Sequence, residues 1–235
     1  MMRLTTRICR FGSAFLLGVM MLLHLGGLQG VGVAAESTPL TVDHILDRVE
    51  NKYADSKFSA DFIQKSTIKA MDITDLATGK VYIKYPGMMR WEYEEPDRQI
   101  IITDADKLWI YRPEDNQVMT GNAPTFFKDG KGASFLSDIR LIRQKFDISL
   151  EQGKPEESDL FYHLKLIPLE KTLDISMIHL MISQKTFNVL QVSTLNSYGD
   201  ETRIDLINSA FGVNLEDSLF SFEIPEGVDV LQIDE

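Results

Sequence analysis

The sequence contains little cysteine, little histidine and few positive charges. Its 235 residues include a single cysteine, so no disulfide can form within the chain. Lys and Arg number 24 against 35 Asp and Glu, for a formal charge of −11, which argues against a nucleic-acid partner. The four histidines show no metal-ligand spacing, and no Gly-x-Ser-x-Gly motif occurs. We therefore expect no enzyme activity, no metal and no cofactor.

Residues 1–35 differ in composition from the rest of the chain. Three arginines and no acid occur in the first ten residues, and a largely apolar stretch follows from Phe11 to Val33. Small residues at Val33-Ala34-Ala35 complete the layout of a secretory signal peptide, with cleavage near Ala35. An uncleaved membrane anchor is the alternative, because the stretch is long enough to span a bilayer. The glycines near its end favour cleavage.

Residues 36–235 form the predicted mature domain. Cleavage would remove Cys9 and leave a cysteine-free chain with a formal charge of −14. The absence of thiols suits an oxidising compartment. With 44% hydrophobic and 25% charged residues, the composition is that of one ordinary globular domain.

The hydrophobic periodicity predicts one helix followed mainly by strands. Apolar residues recur at helical spacing from Ile45 to Tyr53, with Thr41 as the N-cap. From Phe58 onward the period becomes two, and about eleven antiparallel strands follow, the last at 220–224. Helical spacing returns only at 124–128 and 132–143. This order predicts a strongly curved sheet or barrel with helices over one face or mouth.

The turn Tyr85-Pro86-Gly87-Met88 joins two strands that carry large apolar residues at alternate positions. Such residues on a concave face either fill a core or line an apolar cavity, and spacing alone favours the core. A cavity of this kind would suit acyl chains, which need apolar area and no hydrogen-bond partners.

Several segments resemble the outer-membrane lipoprotein carrier protein (LolA) family. They are residues 58–64 (FSADFIQ), residues 79–93 with Pro86-Gly87 and Trp91-Glu92-Tyr93, Pro96, and residues 108–111 (LWIY). The resemblance covers 40–228. It implies a periplasmic chaperone built as an unclosed antiparallel β-barrel with a helical lid. Its cavity would bind the acyl chains of lipoproteins released by an inner-membrane ABC transporter and pass them to an outer-membrane receptor. We expect a monomer.

The resemblance also implies site residues. The candidate acyl-cavity residues are Phe62, Val81, Ile83, Met89, Trp91, Tyr93 and Trp109. The candidate lid residues are Tyr85, Phe135, Leu136 and Ile139. Residues 108–111 are apolar at every position, so the sequence does not separate their two faces. Tyr85 stands where the family commonly has an arginine that latches the lid, and strand alternation directs Arg90 away from Trp91.

Two alternatives to the carrier remain open at this stage. One is a periplasmic lipoprotein-sensing or regulatory module of the same fold, and the other is a secreted enzyme. The lipid-anchored receptor of the same fold is disfavoured, because no cysteine stands at the predicted cleavage site.

Overall fold

Strands make up most of the chain, as the period-two pattern predicts. A computed structural model describes residues 41–126, 136, 139–153 and 159–233. The strands are β1 (Lys57–Ile68), β2 (Ile73–Lys84), β3 (Met88–Glu95), β4 (Gln99–Asp104), β5 (Lys107–Arg112), β6 (Gln117–Asn122), β7 (Phe146–Glu151), β8 (Phe161–Pro168), β9 (Met177–Ser183), β10 (Val189–Leu195), β11 (Glu201–Phe211) and β12 (Asp229–Gln232). The helices are α1 (Val42–Tyr53), α2 (Ala123–Phe126), α3 (Leu141–Lys145) and a 3-10 turn, Asp217–Phe220.

The twelve strands form one open, curved sheet. Their order is β12-β6-β5-β4-β3-β2-β1-β11-β10-β9-β8-β7, so β12 and β7 lie at its two edges. Neighbouring strands are antiparallel except β12, which pairs with β6 in parallel. The predicted architecture, an open antiparallel sheet with few helices, is confirmed.

Helix α1 begins where the sequence predicts. The side chain of Thr41 accepts a hydrogen bond from the backbone N–H of His44 (3.3 Å), and this contact caps the helix. The apolar side of α1 is buried against the sheet, through Ile45, Leu46, Val49 and Tyr53. Within the described part of the chain, no helix has the length and apolar character needed to cross a membrane.

The predicted last strand at 220–224 is wrong. The chain forms the 3-10 turn and then runs outside any strand, and the last strand, β12, comes after Pro225. The alternating apolar residues have a different cause, because this segment lies over the outer face of the sheet. Phe220 is 1% exposed, and the rings of Phe222 and Tyr111 lie 5.3 Å apart.

The same C-terminal segment confirms the predicted direction of Arg90. Its Nη1 donates to the backbone carbonyl of Leu219 (3.2 Å), and the 3-10 turn packs on β3 and β4. Arg90 therefore lies on the outer face, opposite Trp91. The sheet consequently has an outer face that the C-terminal segment covers on β3 to β5, and an inner face against which α1 and α3 pack.

Candidate functional site

The register of β1 to β6 arranges the inner face in three rows. Because directly paired residues point to the same side of a sheet, each row can be followed from strand to strand. The first row is Phe58, Ile83, Met89, Thr103, Leu108 and Gly121. The middle row is Ala60, Val81, Trp91, Ile101, Ile110 and Met119. The third row is Phe62, Gly79, Tyr93, Gln99, Arg112 and Gln117.

Six of the seven predicted cavity residues share this inner face. Five of them have side chains that are at most 3% exposed: Phe62, Val81, Ile83, Met89 and Trp91. The ring of Phe62 packs edge-on against Trp91 (5.0 Å between centroids) and Tyr93 (4.9 Å). Gly79 makes room for this cluster, since an added Cβ would lie 2.9 Å from the Phe62 ring.

The structure does not bring Trp109 to the inner face. Trp109 pairs with Ile102 and Thr120, which lie on the outer face, and its side chain is half-buried. The inner positions of β5 are taken by Leu108 and Ile110 instead. Residues 108–111 are apolar at every position because the C-terminal segment also covers the outer face, and this second cover removes the polar alternation that would have identified the inner side.

The third row changes from apolar to polar across the sheet. It runs from Phe62 through Tyr93 to Gln99 and Arg112. The phenol of Tyr93 donates to Oε1 of Gln64 (3.0 Å), and burial raises the pKa of Tyr93 to about 12. A cleft of about 510 Å³ opens at this end of the strands. The inner face therefore consists of two mostly apolar rows and one polar border, which we call the rim (Gln64, Tyr93, Gln99 and Arg112).

Helix α1 is one cover of the inner face, and it is fixed to the sheet by direct contacts. The phenol of Tyr53 accepts a hydrogen bond from the buried N–H of Val189 (3.0 Å), and burial raises the pKa of Tyr53 despite that bond. The guanidinium of Arg48 lies 4.5 Å from the Phe187 ring. Lys52 lies at the same distance from the Phe211 ring, and its Nζ also donates to the carbonyl of Thr186 (2.9 Å).

The second cover is residues 139–145, which contain α3 and which we call the cover segment. Ile139 and Ile142 are 1% and 0% exposed, and the predicted lid residue Leu136 is 2% exposed. All three belong to the same apolar cluster as the inner-face residues of β1 to β3. The other predicted lid residue, Phe135, lies outside the described residues.

Arg143 of the cover segment contacts three acidic residues of α1. Its Nη1 donates to Asp43 (2.8 Å), its Nη2 to Asp47 (2.5 Å) and its Nε to Glu50 (2.5 Å). Sequence reasoning did not single out Arg143. A signal was present, however, because the three acids recur at i, i+4 and i+7 on one side of α1, and such like-charged neighbours are unfavourable without a basic partner.

Tyr85, the residue in place of the family's arginine, also meets the cover segment. The guanidinium carbon of Arg140 lies 4.9 Å from the centre of the Tyr85 ring, within the range of a cation–π contact. The phenol oxygen of Tyr85 is buried and has no hydrogen-bond partner among the described residues. The aromatic ring of Tyr85 therefore makes the contact at this position, and Arg140 of the cover segment supplies the positive charge.

The described residues contain no group of three or more His, Cys, Asp or Glu side chains placed to hold a metal ion. The inner face offers a different kind of chemistry. It provides apolar area beside a polar rim, under two covers, one of which is attached through buried isoleucines and through the charged side chains of Arg140 and Arg143.

Comparisons with known proteins agree with this arrangement. The profile of the family described as Outer membrane lipoprotein carrier protein LolA matches residues 55–223. The outer-membrane lipoprotein carrier protein of Chromobacterium violaceum is 31% identical over 176 residues, covering 75% of this chain and 81% of that protein. The protein of the same name from Methylococcus capsulatus is 27% identical over 211 residues, covering 86% and 92%.

Among solved structures, an uncharacterized conserved protein from Thermus thermophilus shares the fold. It has a TM-score of 0.53 at 16% identity, covering 81% of this chain and 98% of that one. The family profile covers well over half of the chain, and the strands of the inner face and the cover segment lie inside the matched region. The protein therefore belongs to the LolA family of outer-membrane lipoprotein carrier proteins.

Proposed function

We propose that this protein is a periplasmic carrier that binds the acyl chains of lipoproteins on the inner face of its sheet. The observation that supports the proposal is the pair of apolar rows, which on β1 to β3 is buried in one cluster with a cover segment that Arg140 and Arg143 help to attach. The names of the family and of its curated relatives agree with this function. The protein acts by binding and release and catalyses no reaction.

The energetics favour acyl chains as the ligand. Burying each CH₂ contributes about 0.8 kcal/mol, so one long fatty chain has a gross driving force of about 10 kcal/mol before ordering costs. Trp91 and Met89 are 3% and 2% exposed in the closed arrangement. A chain can therefore reach them only after a cover moves.

The cover segment is the part that moves in this proposal. Ile139 and Ile142 leave the apolar cluster, and their place against the inner face is taken by acyl chains of the same chemical character. The free energy of opening is thus partly recovered on binding, which suits a carrier that must both accept and release its cargo. Helix α1 stays in place.

The carrier works in the periplasm as a monomer, after cleavage of residues 1–35. It receives lipoproteins from an inner-membrane ABC transporter and delivers them to an outer-membrane receptor. No cofactor takes part. Family membership and the predicted signal peptide support these proposed steps, and an apolar binding site is compatible with them.

Native mass spectrometry of the purified protein with a triacylated lipoprotein tests this proposal. We expect a one-to-one complex that is lost when the same lipoprotein is enzymatically deacylated. Adding the outer-membrane receptor distinguishes a carrier from a sensor, since a carrier hands the acylated protein over and returns to its free mass. A complex that forms equally well with the deacylated protein would contradict the proposal.

A further inference from the structure

The rim lies beside the apolar rows and has a different chemistry. Trp91 and Tyr93 are successive inner-face residues of β3, and Tyr93 contacts both Phe62 and Gln64. Gln99 and Arg112 continue the polar border, and Nε of Arg112 donates a hydrogen bond to Oε1 of Gln99 (3.1 Å). A ligand that lies on the apolar rows and extends along the strands toward Tyr93 therefore reaches hydrogen-bonding groups next.

The cleft at the rim has the volume of a small-molecule site. Its volume of about 510 Å³ lies within the range of about 300–1,000 Å³ that is common for small-molecule sites. Gln64 and Gln99 each carry an amide NH₂ group, and Arg112 has further N–H donors beyond the one used for Gln99. These donors match ester and amide carbonyl oxygens, which is the chemistry found where acyl chains join a lipoprotein's N-terminal cysteine.

The charges of the cleft disfavour an anionic headgroup. Its lining includes two guanidinium groups, on Arg98 and Arg112, and three carboxylates, on Asp97, Glu114 and Asp115. A phosphate would meet more negative than positive charge there. A neutral ester and amide linkage followed by peptide backbone avoids that repulsion and can use donors and acceptors alike.

We infer that the rim binds the glyceryl-cysteinyl head and first peptide bonds of an acylated protein whose chains occupy the apolar rows. This inference rests on the proposed carrier function and adds a second subsite to it. The acyl subsite buries the apolar surface of the acyl chains. The rim fixes the orientation of the lipoprotein, so that its polypeptide leaves the site beside Gln99 and Arg112.

Two ligands allow the contributions of the acyl subsite and the rim to be measured separately. The first is a synthetic tripalmitoyl-cysteinyl tetraserine peptide, and the second is pyrene-labelled hexadecanol, which has a chain but no ester or amide. The test variant is Arg112→Met with Gln99→Leu, and the control is Arg203→Met, an exposed arginine on the outer face paired with Asp205. Both affinities are measured by fluorescence titration of the purified proteins.

We expect the double variant to lose about tenfold in affinity for the lipopeptide, because charge-assisted hydrogen bonds are lost. Its affinity for hexadecanol should change less than about twofold, which also shows that the fold is intact. The control should match the wild type with both ligands. Equal losses for both ligands, or no loss for the lipopeptide, would overturn the rim subsite. A wild-type protein that binds neither ligand would instead overturn the carrier function itself.

Discussion

Helix α1 and the cover segment lie over the same sheet but are attached to it in different ways. Four apolar side chains anchor α1, and a buried hydrogen bond links Tyr53 to the backbone of β10. In the cover segment, two side chains are fully buried, Ile139 and Ile142. Arg143 of this segment makes polar contacts with three acidic residues of α1.

This difference in attachment indicates which of the two covers can open. The free energy needed to open a segment rises with the number of its buried apolar contacts and buried hydrogen bonds, whereas partly exposed ion pairs contribute little stability and break readily. The side chain of Arg143 is 30% exposed, and its partners Asp43 and Asp47 are more exposed still. We therefore treat α1 as a permanent part of the core and the cover segment as a removable one.

The largest effect is expected from a matched pair of isoleucines, Ile45 in α1 and Ile142 in the cover segment, both 0% exposed. Ile45→Ala should lower the free energy of unfolding by about 3 kcal/mol, because it leaves a cavity in a part of the core that never opens. Ile142→Ala should cost less, since a segment that opens separately contributes no more than its own opening free energy. Urea denaturation measures both, and equal costs would remove the distinction between the covers.

Tyr53→Phe should have the next largest effect. The change leaves the buried N–H of Val189 without its acceptor, and we expect a loss of about 1–2 kcal/mol in the free energy of unfolding. Binding of pyrene-labelled hexadecanol should stay unchanged, because α1 does not move. Enhanced binding in this variant would indicate that α1, too, acts as a gate.

Arg143→Met should change the rate of ligand binding more than it changes stability. It removes three ion pairs at the protein surface and should lower the free energy of unfolding by about 1 kcal/mol. Because these pairs hold the cover segment to α1, association with hexadecanol should become about fivefold faster. Arg48→Met is the matched control, since it removes a cation–π contact of α1 with Phe187 and leaves the cover attached. Stopped-flow fluorescence compares the two rates, and equal acceleration would contradict the assignment.

Tyr85→Phe should have the smallest effect. Within the described part of the chain the phenol oxygen has no hydrogen-bond partner, and phenylalanine keeps the ring that faces Arg140. The free energy of unfolding should therefore change by less than about 0.5 kcal/mol. Tyr85→Leu removes the ring and should accelerate hexadecanol association. If both variants behave alike in binding, the cation–π contact plays no part in holding the cover.

Features that depend on neighbouring residues were predictable from the sequence. Thr41 and the apolar side of α1 follow from helical spacing, and the alternation through Val81 and Trp91 identifies one face of the β2–β3 hairpin. Each of these signals lies within one element or one hairpin. Their pattern is therefore complete in the local sequence.

Features that depend on distant packing were not predictable. Trp109 was assigned to the wrong face because a cover from the C-terminal segment makes both sides of β5 apolar. The rim needs the register of four strands before Gln99 and Arg112 can be seen to continue a row that starts at Phe62. The contact of Arg143 with Glu50 joins residues 93 positions apart, and only the acidic stripe on α1 indicated that a partner was needed.

The most direct test locks each cover in turn. In the mature protein, from which Cys9 is absent, Asp47→Cys with Arg143→Cys places one thiol on α1 and one on the cover segment. Lys52→Cys with Thr186→Cys joins α1 to the sheet instead. A short cleavable bismaleimide then crosslinks either pair, and binding of the tripalmitoyl lipopeptide is measured before crosslinking, after it and after cleavage.

We expect the first crosslink to abolish lipopeptide binding and its cleavage to restore binding, whereas the second crosslink should leave binding intact. Full binding by the protein with its cover segment locked to α1 would contradict the proposal that acyl chains enter by displacing that segment.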